Sequence, residues 1–435
     1  MERTISAGIA TKIGQKVTIK GWLHKKRLLG GLTFINVRDR RGLVQVLIED
    51  KQEVEKLRGM QLGTVLEVTG DVVEEQRAPG GAEIHEPKLT VLVAVTDESP
   101  IEIDKPLSHK SDNLDTLFDN RVIGLRNLQE AKIFKIRADM LRYIREYLTG
   151  QDFVEIQSPK IVAGAAEGGA EVFKLDYFGQ EATLAQSPQL YKQMMVGVFE
   201  RVYEIGPAFR AELSATTRHV SEVTMLDIEL GFIDGHDDVL KAVQDMTYSV
   251  LTRAYDEHAA DLRSWNAPEL TLKADFPRYT MAQIHEMYGK AMNKDMSAET
   301  DLTPEEERWI CDYAKKHDGC EAVFATNLPK SKMKFYHMAN EDDTARSADL
   351  LFRGIEIATC PQREHRYDKL VEQMKAAGID PAHPGFSHYL LAFKHGLPMH
   401  GGCGYGIDRL VEKTIGLSNV KEAILWPHDI NRLDP

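Results

Sequence analysis

The chain has 435 residues, 43% hydrophobic and 28% charged, with 54 Lys and Arg against 67 Asp and Glu and a formal net charge of −13. That length allows two or three domains of ordinary globular composition, and no apolar run approaches the roughly 20 residues that span a bilayer. Cys311, Cys320, Cys360 and Cys403 form no CxxC pair, which indicates neither a zinc site nor a disulfide framework.

The first residues, Met1-Glu2-Arg3-Thr4, lack the apolar core of a signal peptide. A cytoplasmic protein with no membrane partner is therefore expected. The overall acidity argues against nucleic-acid binding, but a polyanion responds to local patches. One such patch, His24-Lys25-Lys26-Arg27, is either a solvated surface run or a phosphate-binding site.

In chain order, residues 16–24, 32–38, 43–49, 64–73 and 89–95 are β-rich. Gly30-Gly31, Arg41-Gly42 and Pro79-Gly80-Gly81 punctuate them as turns. Five short strands in about ninety residues fit an OB-type barrel or a small sandwich. Residues 104–130 include Pro106 and a polar run through Ser111-Asp112-Asn113, and read as a linker or hinge. The period then changes: Ile133, Ile136, Met140, Leu141, Ile144, Tyr147 and Leu148 form one apolar helical stripe that should end near Gly150. A strand over 153–156 and Pro159 follow. Strands are expected at 202–205 and 225–232, and helices at 238–258, 304–317 and from Ile407. The glycine-rich run His400-Gly401-Gly402-Cys403-Gly404-Tyr405-Gly406 reads as a turn into that last helix. Strands do not alternate regularly with helices, so the fold class is α+β on an antiparallel sheet. The expected domains are 1–103, the linker 104–130, and 131–435.

Asp349, Glu356 and Arg363 stand seven residues apart in a largely apolar stretch that contains Leu350, Leu351, Phe352, Ile355 and Ile357. A buried carboxylate is costly unless it meets a cation, a metal or several donors. Two carboxylates and a guanidinium on adjoining core strands suggest a pocket for a metal-bound polyphosphate and an anionic substrate. The bland alternative is that the acids pair with Arg346 and Arg353 as a structural network.

Three segments carry a family resemblance. The first is the stripe, strand and Pro159. The second is Phe209-Arg210-Ala211-Glu212, continuing to Arg218-His219 and Glu222. The third is Gly402-Cys403-Gly404-Tyr405-Gly406-Ile407-Asp408-Arg409. In this order they resemble the three motifs of the class II aminoacyl-tRNA synthetases, and the whole chain is similar to the aspartyl enzymes of archaeal type.

The resemblance implies an N-terminal OB-fold anticodon domain, a homodimer, and charging of tRNA(Asp) with L-aspartate from ATP and Mg²⁺. In non-discriminating members of the family, tRNA(Asn) is charged as well. It also implies residue roles. Arg210 and Arg409 are catalytic and bind ATP together with Glu212, Arg218, His219 and Glu356. Asp349, Glu356 and Thr359 hold the metal. Lys192, in Gln186-Ser187-Pro188-Gln189-Leu190-Tyr191-Lys192, clamps the substrate's side-chain carboxylate with Arg363. Glu167, Gln189 and Asp227 meet its α-amino group, and the Glu167-Gly168-Gly169 loop closes over it. Phe34 and Gln45 grip the central anticodon base while Lys25, Lys26 and Arg27 meet phosphates. Periodicity alone equally allows Phe34 to be a barrel-core residue.

Two cations for one carboxylate disfavour asparagine, so an asparaginyl-tRNA synthetase is the nearest alternative. A catalytically silent RNA-binding paralogue is the more distant one. The chain departs from the family where Cys360-Pro361 replaces two glycines before Gln362-Arg363, and where Val223 stands in place of an adenine-stacking Phe. The first departure bears on the geometry of Arg363, because proline fixes φ and removes a donor.

Overall fold

The computed structural model describes all residues except 1, 30, 31, 110, 164–171, 214, 215, 297 and 435. The predicted Gly30-Gly31 turn, and Glu167 with its loop, lie outside the described residues. The chain divides into two units, Met1–Ala131 and Lys132–Pro435.

The first unit begins with β1 (Arg3–Thr4), β2 (Lys16–Leu29), β3 (Leu32–Arg38), β4 (Leu43–Ile48), α1 (Lys51–Arg58), β5 (Val65–Glu74) and β6 (Ala82–Val93). The sheet order β1-β2-β3-β4-β6-β5, with β5 returning to β2, closes a five-stranded barrel and excludes the sandwich. Closure depends on the 14-residue β2. Its first half pairs with β5 and its second with β3, the two ladders overlapping at Trp22. Side chains alternate across the wall: Thr33, Ile35 and Val37 point inward, while Phe34, Asn36 and Arg38 are half-buried on the outer face. Phe34 is therefore not a core residue. Helix α1 was not expected; Asp50 caps it by accepting from the Gln52 and Glu53 amides.

The stretch 104–130 is not a plain linker. It contains α2 (Ser111–Asp119), α3 (Arg121–Gly124) and the start of α4 (Leu128–Gly150). Leu114, Leu117 and Phe118, at helical spacing, close a small core with Ile101.

The second unit continues with β7 (Val154–Glu155), β8 (Ile161–Val162), β9 (Lys174–Tyr177), β10 (Gln180–Leu184), α5 (Gln189–Phe199), β11 (Arg201–Phe209) and β12 (Glu222–Gly231). Next come α6 (His236–Glu257), α7 (Ala259–Ser264), β13 (Arg278–Thr280), α8 (Met281–Met292), α9 (Pro304–His317), β14 (Ala322–Thr326), β15 (Ser347–Phe352) and β16 (Ile355–Pro361). The last elements are α10 (Tyr367–Ala376), α11 (Ser387–Lys394), β17 (His400–Gly406) and α12 (Ile407–Ile415). Eight strands form one sheet in the order β13-β14-β15-β16-β17-β12-β11-β7, antiparallel except for the outermost pair at each edge.

One face of this sheet is the core. Ile133, Ile136, Met140, Ile144 and Leu148 of α4 pack there with Val239, Val243 and Met246 of α6 and with Leu226, Ile228 and Leu230 of β12. The apolar stripe of α4 is thus turned inward, into this chain's own core. The opposite face carries the polar residues of β12 and β16 and, on β14 and β15, a second apolar cluster of Val323, Ala325 and Leu351 with Ile284 of α8 and Ile310 of α9.

The glycine-rich run is not a turn but the central strand β17. Glycine is required there by close approach. A Cβ on Gly402 would lie 1.9 Å from the Ile228 carbonyl oxygen and 2.5 Å from Glu229 Oε2.

Candidate active site

The polar face of β12, β17, β16 and β15 floors a cavity of ≈ 390 Å³. It brings together Asp349, Glu356, Thr359, Arg363, Gln189, Asp227, Arg210, Glu212, Arg218, His219 and Arg409. These are most of the sequence-predicted site residues.

A β-bulge aims the acids. Register between β15 and β16 shifts between Leu350 and Leu351, so that Asp349 opposes Thr359 but Leu351 opposes Glu356. Ile357 and Ala358 both face the core, and this brings Glu356 and Thr359, three apart, to the same opposite face. The Thr359 hydroxyl donates to Glu356 Oε1 at 2.8 Å. Asp349 is half-buried, but its Oδ1 is shielded from solvent and has no hydrogen-bond partner among the described residues. Burial, and then the Glu356 carboxylate, push its pKa well above the usual range. Neither acid pairs with Arg346 or Arg353. Arg353 is spent on Glu321, Tyr255 and backbone carbonyls, and Arg346 on Asn340 and Gln362. An orphaned carboxylate oxygen beside a second carboxylate and a hydroxyl is a hard-oxygen donor set. No group of three or more His, Cys, Asp or Glu among the described residues is placed to hold a metal. An ion there would therefore draw its remaining ligands from substrate phosphate or water.

The cations differ in how they are held. Arg409, at the start of α12, donates to the Glu356 carbonyl at 2.8 Å and lies 3.6 Å from its carboxylate. Arg218 donates to Glu307 at 2.6 Å and to the Gly354 carbonyl at 3.1 Å. His219 Nδ1 meets the Thr216 hydroxyl at 2.7 Å. Arg210, just past β11, is exposed and lines the cavity. Its side chain has no hydrogen bond or ion pair among the described residues, so it is available to an anion. Asp408 of the third motif is structural. It accepts from Arg137 of α4 at 2.5 Å and from the Thr224 amide at 2.8 Å, locking α12 onto α4 and β12.

The amino-acid end is a buried ion network. Lys192 is wholly buried and lies behind the cavity wall. Its ammonium donates to Asp227 Oδ1 and to the Cys403 carbonyl, each at 2.8 Å, and lies 3.7 Å from Glu229. Arg363 grips Glu229 through Nε and Nη2 at 2.9 and 3.0 Å and lies over the Tyr336 ring. Burial alone would raise the Glu229 pKa, but Arg363 and Lys192 hold it below the usual range. The Cys360-Pro361 departure thus leaves Arg363 well anchored; the Cys360 carbonyl meets His236 Nε2 at 2.6 Å instead.

Gln189, in the first turn of α5, donates to Gln193, which meets His400 at 2.9 Å and Tyr389 at 3.0 Å. Burial lowers the His400 pKa to about 4. The ring is neutral, with its Nδ1 proton on the Pro398 carbonyl, so Nε2 accepts from Gln193.

In the first unit, Gln45 donates to Glu83 at 2.7 Å, and His85 meets the same carboxylate at 2.8 Å. Phe34 lies on the outer face with Asn36, which pairs with Gln45 across β3 and β4. Lys26 is the exception to the expected phosphate grip. Its ammonium caps the C-terminal end of α1 through the carbonyls of Leu57, Arg58 and Met60. Lys25 lies 3.4 Å from the Asp104 carbonyl and 4.0 Å from its carboxylate.

Sequence reasoning passed over Glu229, Glu307, Asp301, Lys332, Lys334 and His337. Glu229 had a visible signal: acids at 227 and 229 alternate with Leu226, Ile228 and Leu230, so one strand face is charged and the other apolar. The others come from irregular segments or the α9 region and carry no comparable spacing.

Residues 113–430 match the family described as tRNA synthetases class II (D, K and N), and residues 17–92 match the OB-fold nucleic acid binding domain. The chain is 40% identical over 436 residues to the aspartate–tRNA(Asp/Asn) ligase of Thermus thermophilus, covering 100% of both. It is 38% identical over 429 residues to the aspartate–tRNA(Asp) ligase of Pyrococcus abyssi, covering 97% of each. The solved asparaginyl-tRNA synthetase of Pyrococcus horikoshii, complexed with asparaginyl-adenylate, aligns with a TM-score of 0.91 at 28% identity over 100% of both chains.

Proposed function

The chain belongs to the class II tRNA synthetases of the D, K and N group, and from that premise we propose that it joins L-aspartate to tRNA, using ATP, through an aspartyl-adenylate. The observation that carries the choice of aspartate is the pairing of Lys192 with Asp227 and of Arg363 with Glu229 at one end of the cavity. Arg363 lines the wall and keeps Nη1 without a protein partner among the described residues. The substrate's side-chain carboxylate would meet that fork, with the Lys192 charge behind it. A neutral amide would leave the arrangement short of an acceptor.

The chemistry follows from position and charge. The aspartate α-carboxylate attacks the α-phosphorus of ATP, the bond to the β-phosphate oxygen breaks, and pyrophosphate departs with its electron pair. Arg210, which no described residue engages, receives the α-phosphate, while Arg218, His219 and Arg409 face the rest of the polyphosphate. No side-chain nucleophile is needed, because the residues hold two repelling anions in line. The 3′-hydroxyl of the terminal nucleotide then takes the aspartyl group and AMP leaves.

Asp349, Glu356 and Thr359 fit Mg²⁺ by their donor chemistry. Bound there, the ion would neutralise and orient the phosphates. The orphaned Asp349 Oδ1 supports this reading.

The barrel is the anticodon-reading part, with Phe34 and Gln45 as its base-contacting pair. Whether tRNA(Asn) is charged besides tRNA(Asp) divides the relatives themselves. The reading here includes both, in line with the Thermus relative's name. A cytoplasmic homodimer is also part of it, supported by exposed apolar side chains at Val154, Val198, Phe199 and Phe232.

The test is aminoacylation of purified tRNA(Asp) and tRNA(Asn) with labelled aspartate and labelled asparagine. Aspartate on both tRNAs, and no asparagine on either, is the expected result. Asparagine on tRNA(Asn) would make the chain an asparaginyl enzyme and overturn the assignment.

A further inference from the structure

Arg218 lies on the irregular segment after β11, where a long side chain ordinarily samples many rotamers. Two acceptors from outside that segment fix it. Glu307 Oε2 takes Nη1 at 2.6 Å, and the Gly354 carbonyl takes Nη2 at 3.1 Å. Both acceptors are themselves rigidly placed.

Glu307 stands in the first turn of α9. That helix begins with Thr303 and Glu306 capping each other, and the Glu306 carboxylate also meets His285 at 2.7 Å. Ile310 and Ala314 root α9 in an apolar cluster with Ile284 and Leu351. Gly354 follows Arg353 in the β15–β16 turn, with φ of 80° and 50° respectively. A Cβ on Gly354 would lie 2.8 Å from Arg308 Cγ, so α9 packs directly against the turn joining the two acid-bearing strands. The same segment supplies a second contact at the cavity, Asp301 to Lys332 at 3.1 Å, both of them lining it.

An acid beside a polyanion site reduces attraction for the polyanion, so its usefulness there is geometric. Arg218 has five N–H donors and engages two of them here. Three remain, so it can hold Glu307 and a phosphate together. Burial raises the Glu307 pKa against the opposing pull of Arg218, with Glu356 and Arg409 also within electrostatic reach.

We propose that Glu307 is a positioning residue for the nucleotide: with the Gly354 carbonyl it fixes the Arg218 guanidinium at the cavity wall, and so ties polyphosphate binding to helix α9. The inference deepens the ATP-dependent reading above and rests on it.

Equilibrium binding of a non-hydrolysable ATP analogue with Mg²⁺ to the full chain tests it without amino acid or tRNA. Glu307→Ala should weaken binding by roughly 5–20-fold, the scale of one lost charge-assisted contact. Glu307→Gln, which keeps an acceptor at the same reach, should recover most of that. In the Arg218→Ala background, Glu307→Ala should add little, because it acts through the residue already removed. In pyrophosphate exchange, KM for ATP should rise while KM for aspartate stays put, a split that general loosening of the fold would not give.

Unchanged or tighter analogue binding by Glu307→Ala, or full additivity with Arg218→Ala, overturns the proposal. Should the alanine variant fail to fold, Glu307→Asp, whose carboxylate falls one methylene short of Arg218, carries the same decision: it should weaken analogue binding and add little in the Arg218→Ala background, and unchanged binding or full additivity overturns the proposal. A wild-type chain that binds the analogue but does not charge aspartate would sink the aspartate assignment and leave this one standing.

Discussion

Asp349 shows how one residue can weaken a fold and serve a reaction. Its buried Oδ1 has no partner among the described residues, and its pKa is raised by burial and by Glu356. Because the folded state holds the proton more tightly than the unfolded chain, stability falls as pH rises from the unfolded value toward the folded one. Asp349→Asn should therefore raise metal-free stability by about 1 kcal/mol or more at pH 8. The gain should shrink at pH 5, and aspartate-dependent pyrophosphate exchange should be lost. Thermal melts of both proteins at the two pH values check this. Arg210 is the opposite case, a side chain that no described residue holds. Arg210→Ala should leave the melting curve unchanged and reduce exchange by about 10²–10³-fold; near-normal exchange would remove it from the site. At this scale the sequence was informative where charge interrupted an apolar run, as at Asp349, Glu356 and Arg363. It was silent on which counter-charge each would meet. Glu229 alternates visibly with apolar neighbours, but its pairing with Arg363 is set by the sheet, and Glu307 is placed by helix packing that no spacing displays.

At the scale of elements, the sequence succeeded where periodicity was strong. Helix α9 spans Pro304–His317 as expected, and the α4 stripe faces a core. It failed where composition and context disagree. Four glycines in seven residues read as a turn, yet β17 is a central strand, and at Gly401 and Gly402 its neighbours leave no room for a Cβ. Gly402→Ala would press a methyl group into the Ile228 carbonyl and the Glu229 carboxylate. A loss of about 3 kcal/mol or more is expected. Urea unfolding should show it, and exchange measured on the surviving folded fraction should show a raised KM for aspartate as the Arg363 fork shifts. The bulge in β16 was equally invisible. Without its extra residue, Glu356 would have faced the core, on the side away from Asp349.

At the scale of the molecule, the antiparallel sheet followed from the absence of strict alternation, whereas strand count left barrel and sandwich open until the pairing of β5 with β2 closed the barrel. The helices within 104–130 did not, because a short stripe of Leu114, Leu117 and Phe118 is easily lost in a polar stretch. The proposed sites fall in different units: every residue lining the proposed catalytic cavity belongs to the second, and Phe34 and Gln45 to the first. Phe34→Ala should therefore weaken tRNA binding by about 1–3 kcal/mol while leaving pyrophosphate exchange intact. Filter binding and exchange assays on the same preparation check this, and equal loss of both would make Phe34 a packing residue.

A protein of net charge −13 is expected to collect three anions: an amino acid, a nucleotide and an RNA. Its innermost cations, Lys192 and Arg363, come already matched by Asp227 and Glu229. Under the proposed function, aspartate would arrive at a quartet that is neutral as a whole, and would displace or share partners rather than fill a positive void. Its affinity would then be the difference between two ionic arrangements, one within the protein and one shared with the substrate. Such an exchange should respond little to bulk salt, and sharply to the removal of any one of the four.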